Sequence, residues 1–400
     1  MKNNRFKLAL LGPIDISTFK KNLKNKIDNK LVYLGAGNPI NVIAQGLIKK
    51  KINLTILSIS NKTKKTFLFK GKNLKIYIIP KNKNFFEKII SYFFYYNIFE
   101  LLRVRKILLK EKINLIHTHF WDEHSLSAKL SNIPYIITGH DRAKSLYKYY
   151  NNPLTLLRLF FKFLPLKTIL KSSKFICVVS NSIKKILKAN KLTKKKIIVI
   201  NNSSNFSKII KKTNNYRLNI VTIMNGFIEF KNPHLCMKIF NNLLKKAPYS
   251  KLFMFGKGFE KNGIAYNFAK QNKLNRKIYF KGPISHKKFK QFLIRKADLL
   301  LNFSFEETHS YSCLDAFSSK VPVLINKNCE GLFETIHKGK FGFYCDNLNE
   351  EQISNKIIKL IKNKKLINKK TNDVFKYGIY KLNNDIIINK YINLYNKCLG

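Results

Sequence analysis

This sequence has little acid for its length. Asp and Glu together number 21 in 400 residues, against 77 Lys and Arg, and the formal net charge is +56. Such a surface suits three kinds of partner: nucleic acid, anionic lipid headgroups, or negatively charged small substrates. Lys, Asn and Ile are abundant together, a pattern of AT-rich coding that accounts for part of the excess. The lysines are spread along the chain and form no tail or stripe, so no specific nucleic-acid site is expected. The six cysteines, at 177, 236, 313, 329, 345 and 398, form no CxxC pair and have no histidine pattern near them. They suggest neither a zinc site nor a disulfide framework and read as buried or incidental thiols in a reducing compartment. No apolar run reaches about eighteen residues, so no spanning helix is expected. "MKNNRFKLALLGPIDIS" reads as a strand ending at Gly12-Pro13 and not as a signal peptide, which makes the expected location cytoplasmic.

What is present is hydrophobic material for two domains, 45% of the residues, arranged as short β-branched runs alternating with helical patterns. "FKLALLG", "LTILSIS", "KIYIIP", "INLIHTH", "PYIITGH" and "KFICVVS" read as strands, with helices such as "NPINVIAQGLIKKKI" and "IFELLRVRKILLKEK" between them. Near-continuous Ile, Leu and Val runs are strands covered on both faces, as in a doubly wound parallel sheet. An Asn- and Ser-rich stretch, 201–217, reads as a hinge, after which "NIVTIMNG", "SKLFMFGKG", "KIYFKG", "DLLLNFS" and "VPVLIN" repeat the pattern. The expectation is an α/β protein of two facing Rossmann-like domains, 1–205 and 206–379, with a tail near 380–400 packing back on the first.

Several features point to the carboxyl ends of the second set of strands, where open α/β sheets bind ligands. Lys231 lies on a loop before a helix. Gly256 and Gly258 let the backbone approach a ligand closely. "SFEETHSYS" opens a helix whose first N–H groups, at Ser310, Tyr311 and Ser312, make an anion site suited to a diphosphate. If that helix begins near Ser310, Asp315 lies about 8 Å along its axis, while Glu307 sits before the first turn. One carboxylate could then accept from ribose hydroxyls and the other from a sugar beyond the phosphates. The pattern of acid, helix terminus and acid matches a nucleotide sugar.

The chain resembles the retaining nucleotide-sugar glycosyltransferases of family four, which have the GT-B fold. The family signature is Ser-x-x-Glu, seven residues, then Glu-Ala-Met-Ala-x-Gly-x-Pro-Val. Ser304, Glu307, Asp315, Ala316, Lys320, Pro322 and Val323 stand in that register. "KNP" at Lys231, "GKGFE" at 256–260 and "EGLFE" at 330–334 fall in family order, and "INLIHTHF" and "PYIITGHD" look like its two histidine-bearing strand ends. The resemblance implies that Glu307 contacts the donor sugar, Asp315 the ribose and Lys231 the diphosphate, with His119 lining the reaction centre. Gly35, Gly37 and Asn38 look like the flexible glycine loop near the acceptor and the donor phosphate. The implied activity is sugar transfer to an acceptor hydroxyl with retention, in cell-surface glycan synthesis such as lipopolysaccharide or exopolysaccharide. The nucleotide sugar is a substrate, and no cofactor or metal is implied, since no Asp-x-Asp occurs near phosphate-binding residues. A GT-B epimerase, or an inactive polyanion- or membrane-binding protein on the same scaffold, is the alternative.

Three positions depart from the family. Asp315 replaces Glu and is one methylene shorter, so its ribose contact would need a shifted helix or a bridging water. Gly226 stands where an Arg is frequent, and Lys320 where a helix-ending Gly is usual. His117 and His119 are expected to alternate along their strand, one satisfied internally and the other, His119 by the family register, facing the cleft. His140 and Asp141 form either a strand-end turn or a substrate contact. Tyr311 either packs under its helix or touches ligand, and Glu306 is expected to be solvated. Two aromatic stretches, 85–102 and 145–170, read first as core-facing helices. The alternative is an interfacial surface on an anionic membrane, which would suit a lipid-linked acceptor.

Overall fold

The computed structural model describes residues 6–33, 38–94, 96–141, 149–207 and 218–400. The chain divides into two compact units, Met1–Asn201 with Asn384–Gly400, and Asn202–Asn383. Both are α/β, each built on its own sheet.

In the first unit the order is β1 (Lys7–Leu11), α1 (Asn38–Lys49), β2 (Asn53–Ser60), β3 (Phe67–Gly71), β4 (Leu74–Pro80), α2 (Phe85–Phe94) and α3 (Ile98–Lys110). Then come β5 (Leu115–His119), α4 (Glu123–Leu130), β6 (Tyr135–Gly139), α5 (Pro153–Phe163), α6 (Leu166–Ser172), β7 (Phe175–Val178), α7 (Asn181–Ala189) and β8 (Ile197–Val199). The strands lie in the order β3-β4-β2-β1-β5-β6-β7-β8. All pairs are parallel except β3 with β4. β5 and β6 are buried along their whole length, the two histidines of β5 included. The reading of strands from sequence did not include β3 or β8. β3 joins β4 through a tight hairpin in which Asn73 takes the left-handed conformation, φ +55°.

The second unit runs β9 (Asn219–Ile223), α8 (Pro233–Lys246), β10 (Lys251–Phe255), α9 (Ile264–Gln271), β11 (Ile278–Gly282), α10 (His286–Lys296), β12 (Leu299–Asn302), α11 (Tyr311–Ser318), β13 (Val323–Asn326), α12 (Glu330–Thr335), β14 (Phe343–Cys345), α13 (Glu350–Lys362) and α14 (Lys364–Lys381). All its strand pairs are parallel, in the order β11-β10-β9-β12-β13-β14. This is the doubly wound dinucleotide-fold order, in which winding reverses between the first and fourth strands. That reversal falls between β9 and β12.

The last helix, α15 (Asn384–Leu399), belongs to the first unit. It packs against α1 so closely that a Cβ on Gly46 would lie 1.7 Å from Ile388 Cδ1. Ile387, Ile388, Tyr391 and Tyr395 join β1, β2 and α1 side chains in one buried cluster.

Two expectations are corrected here. Residues 201–207 are not a loose hinge: Ser204 N–H donates to the Leu382 carbonyl at 3.1 Å, and Phe206 is buried where Gly378 leaves room for its ring. Residues 208–217 lie outside the described residues, as do residue 95 of the first aromatic stretch and 145–148 of the second. Helix α2 does not face the core with its aromatics. Its buried side chains are Glu87 and Ser91, while Phe85, Phe86, Tyr92, Phe93 and Phe94 are exposed.

Candidate active site

Glu307 and Lys231 meet at the reversal point of the second sheet. Lys231 ends a short turn, Glu229–Lys231, on the loop after β9, and Glu307 lies on the loop after β12. The Phe305 N–H donates to the Phe230 carbonyl at 2.8 Å, which ties the two loops together. Lys231 Nζ sits 2.5 Å from Glu307 Oε1, with both side chains mostly but not wholly covered. The first turn of α12, which follows β13, presses on the same place. A Cβ on Gly331 would lie 2.1 Å from the Glu307 carbonyl oxygen, so only glycine permits this approach. The sequence reading placed both residues at one site and gave each its own ligand. It did not foresee that they pair with one another.

Helix α11 begins where expected, with Ser310 as its cap residue. Ser310 N–H is already engaged, donating to Thr335 Oγ1 at 3.3 Å, so it is not among the amides open to an anion. The first intrahelical bond of α11 runs from the Leu314 N–H to the Ser310 carbonyl at 3.1 Å, so the amides of Ser312 and Cys313 precede it. Asn302, at the end of β12, holds the helix start through Nδ2, which donates to Ser310 Oγ at 3.2 Å and Ser312 Oγ at 3.3 Å. Tyr311 and Ser312 are half-buried. Glu306 is 6% exposed, so the solvated neighbour expected from sequence is in fact buried.

Asp315 is turned into the unit, only 2% exposed. Its Oδ1 accepts from Ser204 Oγ at 3.0 Å and lies 2.9 Å from His286 Nε2. The Asp315 carboxylate raises the His286 pKa above its ordinary value and outweighs the opposing effect of burial. His286 opens α10 and is about a third exposed at its side chain, 31% against 3% for Asp315. Sequence reasoning missed His286. The available signal was its place at the head of a helix after "GPIS", a position that only the fold brings to Asp315.

The glycines have local causes. Gly256 has φ +120°, and a Cβ there would lie 1.7 Å from the Met224 carbonyl oxygen. Its close approach is therefore to its own chain. Gly258 has φ +89° and Gly226 φ +107°, conformations that an arginine would adopt only with strain. Lys320, which stands where a glycine is usual, takes the left-handed conformation, φ +52°.

In the first unit the reversal of winding falls between β1 and β5, and His119 ends β5. His117 and His119 do not alternate. Residues two apart on a strand share a face, and their rings are 4.2 Å apart. His117 is fully satisfied, with Nδ1 2.7 Å from the Tyr395 hydroxyl and Nε2 2.8 Å from Thr138 Oγ1. His119 Nδ1 lies 2.8 Å from His140 Nε2, and its Nε2 is buried with no partner among the described residues. Burial holds His117 and His140 at pKa values of about 3 and His119 well below its ordinary value. All three are neutral imidazoles at neutral pH, able to donate or accept one hydrogen bond but not to act as cations. The Asp141 carbonyl accepts from Trp121 Nε1 at 3.2 Å, so that residue serves the turn. Gly35 and Gly37 lie outside the described residues, as does the side chain of Asn38, whose backbone opens α1.

Comparison with known proteins follows the same division. The family described as Glycosyltransferase Family 4 matches residues 35–206, and that described as Glycosyl transferases group 1 matches residues 205–379. The poly(ribitol-phosphate) alpha-N-acetylglucosaminyltransferase of Staphylococcus aureus is 26% identical over 194 residues, 48% of this chain and 38% of that protein's length. This chain thus matches well under half of that relative. Sucrose-phosphate synthase from Thermosynechococcus elongatus shares the fold with a TM-score of 0.75 at 13% identity, covering 98% of each chain. The Anabaena protein HepE, in complex with UDP and glucose, does so with a TM-score of 0.69 at 10% identity, covering 98% of this chain and 100% of that one. With two matched families spanning residues 35–379 and a doubly wound sheet in each unit, the chain belongs to the group 1 glycosyltransferases and has the GT-B fold.

Proposed function

We propose that the protein transfers a sugar from a nucleotide-sugar donor to an acceptor hydroxyl with retention of configuration, and that the donor diphosphate docks on Lys231 and the first turn of α11. The observation that carries this reading is the Lys231–Glu307 ion pair at the reversal point of the second sheet. A diphosphate entering there competes for Lys231 and displaces Glu307, which is then free to accept from the sugar hydroxyls. Substrate charge thus takes the place of an internal carboxylate, and the site is assembled by the ligand it serves. Lys231 and the helix amides oppose the charge that builds on the leaving diphosphate, a form of stabilisation that acts where charge develops. His286 presents the buried Asp315 to the ribose side, which answers the missing methylene. His119 offers a neutral hydrogen-bonding group, and no metal enters the scheme.

The HepE complex makes UDP the first nucleotide to try. The acceptor is a glycan or polyol hydroxyl, on a free or lipid-linked chain, for cell-surface glycan synthesis. The named acceptor of the Staphylococcus relative carries a phosphate in each repeat, and a chain of net charge +56 would attract such a polymer.

The test is thermal unfolding with UDP-glucose, UDP-N-acetylglucosamine, GDP-mannose and ADP-glucose. Saturating one of these to about a hundred times its Kd stabilises by about 2.7 kcal/mol, a clear rise in Tm. Lys231→Ala should abolish the rise for the nucleoside diphosphate and for its sugar alike. Retention requires that sugar released by slow donor hydrolysis first appears with the donor's anomeric configuration. Absence of a shift with every nucleotide sugar, or an unchanged shift in Lys231→Ala, overturns the reading.

A further inference from the structure

Helix α2 is inside out. On an ordinary surface helix the apolar stripe faces the protein and the polar residues face water. Here the inward residues are Glu87 and Ser91, one turn apart. Glu87 accepts a two-pronged contact from Arg103, Nη1 to Oε1 and Nη2 to Oε2 at 2.9 Å each, and the Ser91 hydroxyl lies 2.6 Å from the Asn82 side chain. The outward residues are aromatic: Phe85 is 75% exposed and Phe86 61%. The patch continues across neighbouring helices. Phe86 meets Phe99 of α3 edge-on at 6.5 Å, and Phe94 meets Phe161 of α5 at 5.3 Å. Tyr96 Oη donates to the Lys162 carbonyl at 2.6 Å, tying α5 to the stretch before α3. Leu102, Leu109, Phe160 and Leu164 extend the exposed apolar area.

Charge on this face has one sign. The acids between residues 81 and 114 are Glu87, Glu100 and Glu111, and none is more than 8% exposed. Residues 153–171 contain no acid at all. Lys83, Lys88, Arg105, Lys106, Lys110 and Lys167 are exposed around the same helices. No described helix is long and apolar enough to cross a membrane. A large aromatic patch whose exposed charges, among the described residues of these helices, are all cations combines the two requirements of an interfacial surface: rings that enter the acyl boundary and cations that meet anionic headgroups.

We infer that the face formed by α2, α3 and α5 docks on an anionic lipid bilayer, with Phe85, Phe86, Phe93 and Phe160 entering the headgroup layer and Lys88, Arg105 and Lys106 pairing with lipid phosphates. Charge complementarity selects a bilayer over a second copy of this chain, because two copies meeting here would oppose cation to cation across the apolar patch. The inference does not depend on the donor chemistry proposed above, since binding is read without turnover.

The experiment is co-sedimentation of the whole chain with vesicles of phosphatidylcholine, and of phosphatidylcholine mixed with phosphatidylglycerol. Binding is expected on the mixed vesicles, weaker on phosphatidylcholine alone, and much reduced at about 0.5 M salt. The triple variant Phe86→Ser/Phe93→Ser/Phe160→Ser should lower partitioning at least about tenfold. Lys88→Glu/Lys106→Glu should weaken binding to the mixed vesicles and leave phosphatidylcholine binding unchanged. These positions are exposed, so each variant should keep the parent Tm and circular dichroism spectrum, which serve as the check on the fold. Equal binding by parent and triple variant overturns the inference. So does a parent that fails to bind vesicles but forms a dimer that the triple variant dissociates.

Discussion

Asp315 carries a general lesson about single side chains. By motif it stands where the family has Glu, and by sequence it reads as a shortened arm reaching for a ligand. In the fold its carboxylate is already engaged by Ser204 and His286. Restoring the family residue would therefore crowd a closed polar site. Asp315→Glu is expected to destabilise by about 1–3 kcal/mol, the usual penalty for an added methylene in a packed interior. Urea denaturation of the whole chain followed by circular dichroism measures it. An unchanged or raised midpoint would show that the site has slack. This also marks how far reading by residue reached. Lys231, Glu307 and the start of α11 were legible because they sit in short segments with fixed spacing. Their pairing was not, since it joins loops after two strands that are far apart in sequence. Glu306 was misread because burial next to a loop leaves no periodic trace. The two histidines were misread for a simpler reason, since alternation separates neighbours on a strand, whereas residues two apart point the same way.

At the level of elements, long apolar runs announced most strands, while β3, β8 and β14 went unread. Each is short or lies at an edge, where fewer positions are buried and the pattern weakens. The stretch "FFEKIISYFF" was recognised as a helix, but its facing was not fixed by periodicity, because a narrow polar stripe can turn either way. The fold settles that orientation through Arg103. Mutation should invert the usual ranking along α2. Glu87→Ala strips a covered guanidinium of its carboxylate and should cost about 3–5 kcal/mol. Phe93→Ser, at an exposed site, should change stability by no more than about 0.5 kcal/mol. Denaturant unfolding of both variants decides it, and a larger loss from Phe93→Ser would mean the aromatic face is packed against protein.

For the whole molecule, the first unit carries its own acid sensitivity and its own reporter. Trp121 is the single tryptophan of the chain, fully buried, with its ring filling the space beside Gly139. Close by, His117, His119 and His140 are held neutral by burial. Their folded pKa values lie below the unfolded value of 6.5. The unfolded chain therefore takes up protons first as pH falls. The stability that His117 and His140 allow is complete above about pH 6.5 and is lost steadily toward pH 3, by about 1.4 kcal/mol per pH unit for each, and His119 acts in the same direction. Tryptophan emission should report loss of the first unit under mild acid, and a flat midpoint between pH 7 and 5 would contradict the buried, neutral assignment.

Helix α15 also sets a schedule for synthesis. Its Ile387, Ile388, Tyr391 and Tyr395 complete the interior beneath β1, β2 and α1, yet they are translated only after residues 202–383. At ordinary elongation rates that interval is about 10–40 s. Throughout it the nascent eight-stranded sheet has an uncovered greasy flank, while the later-made half already holds everything its own interior needs. The half that emerges first from the ribosome is thus the one that matures last, and the wait leaves it open to chaperones and to self-association.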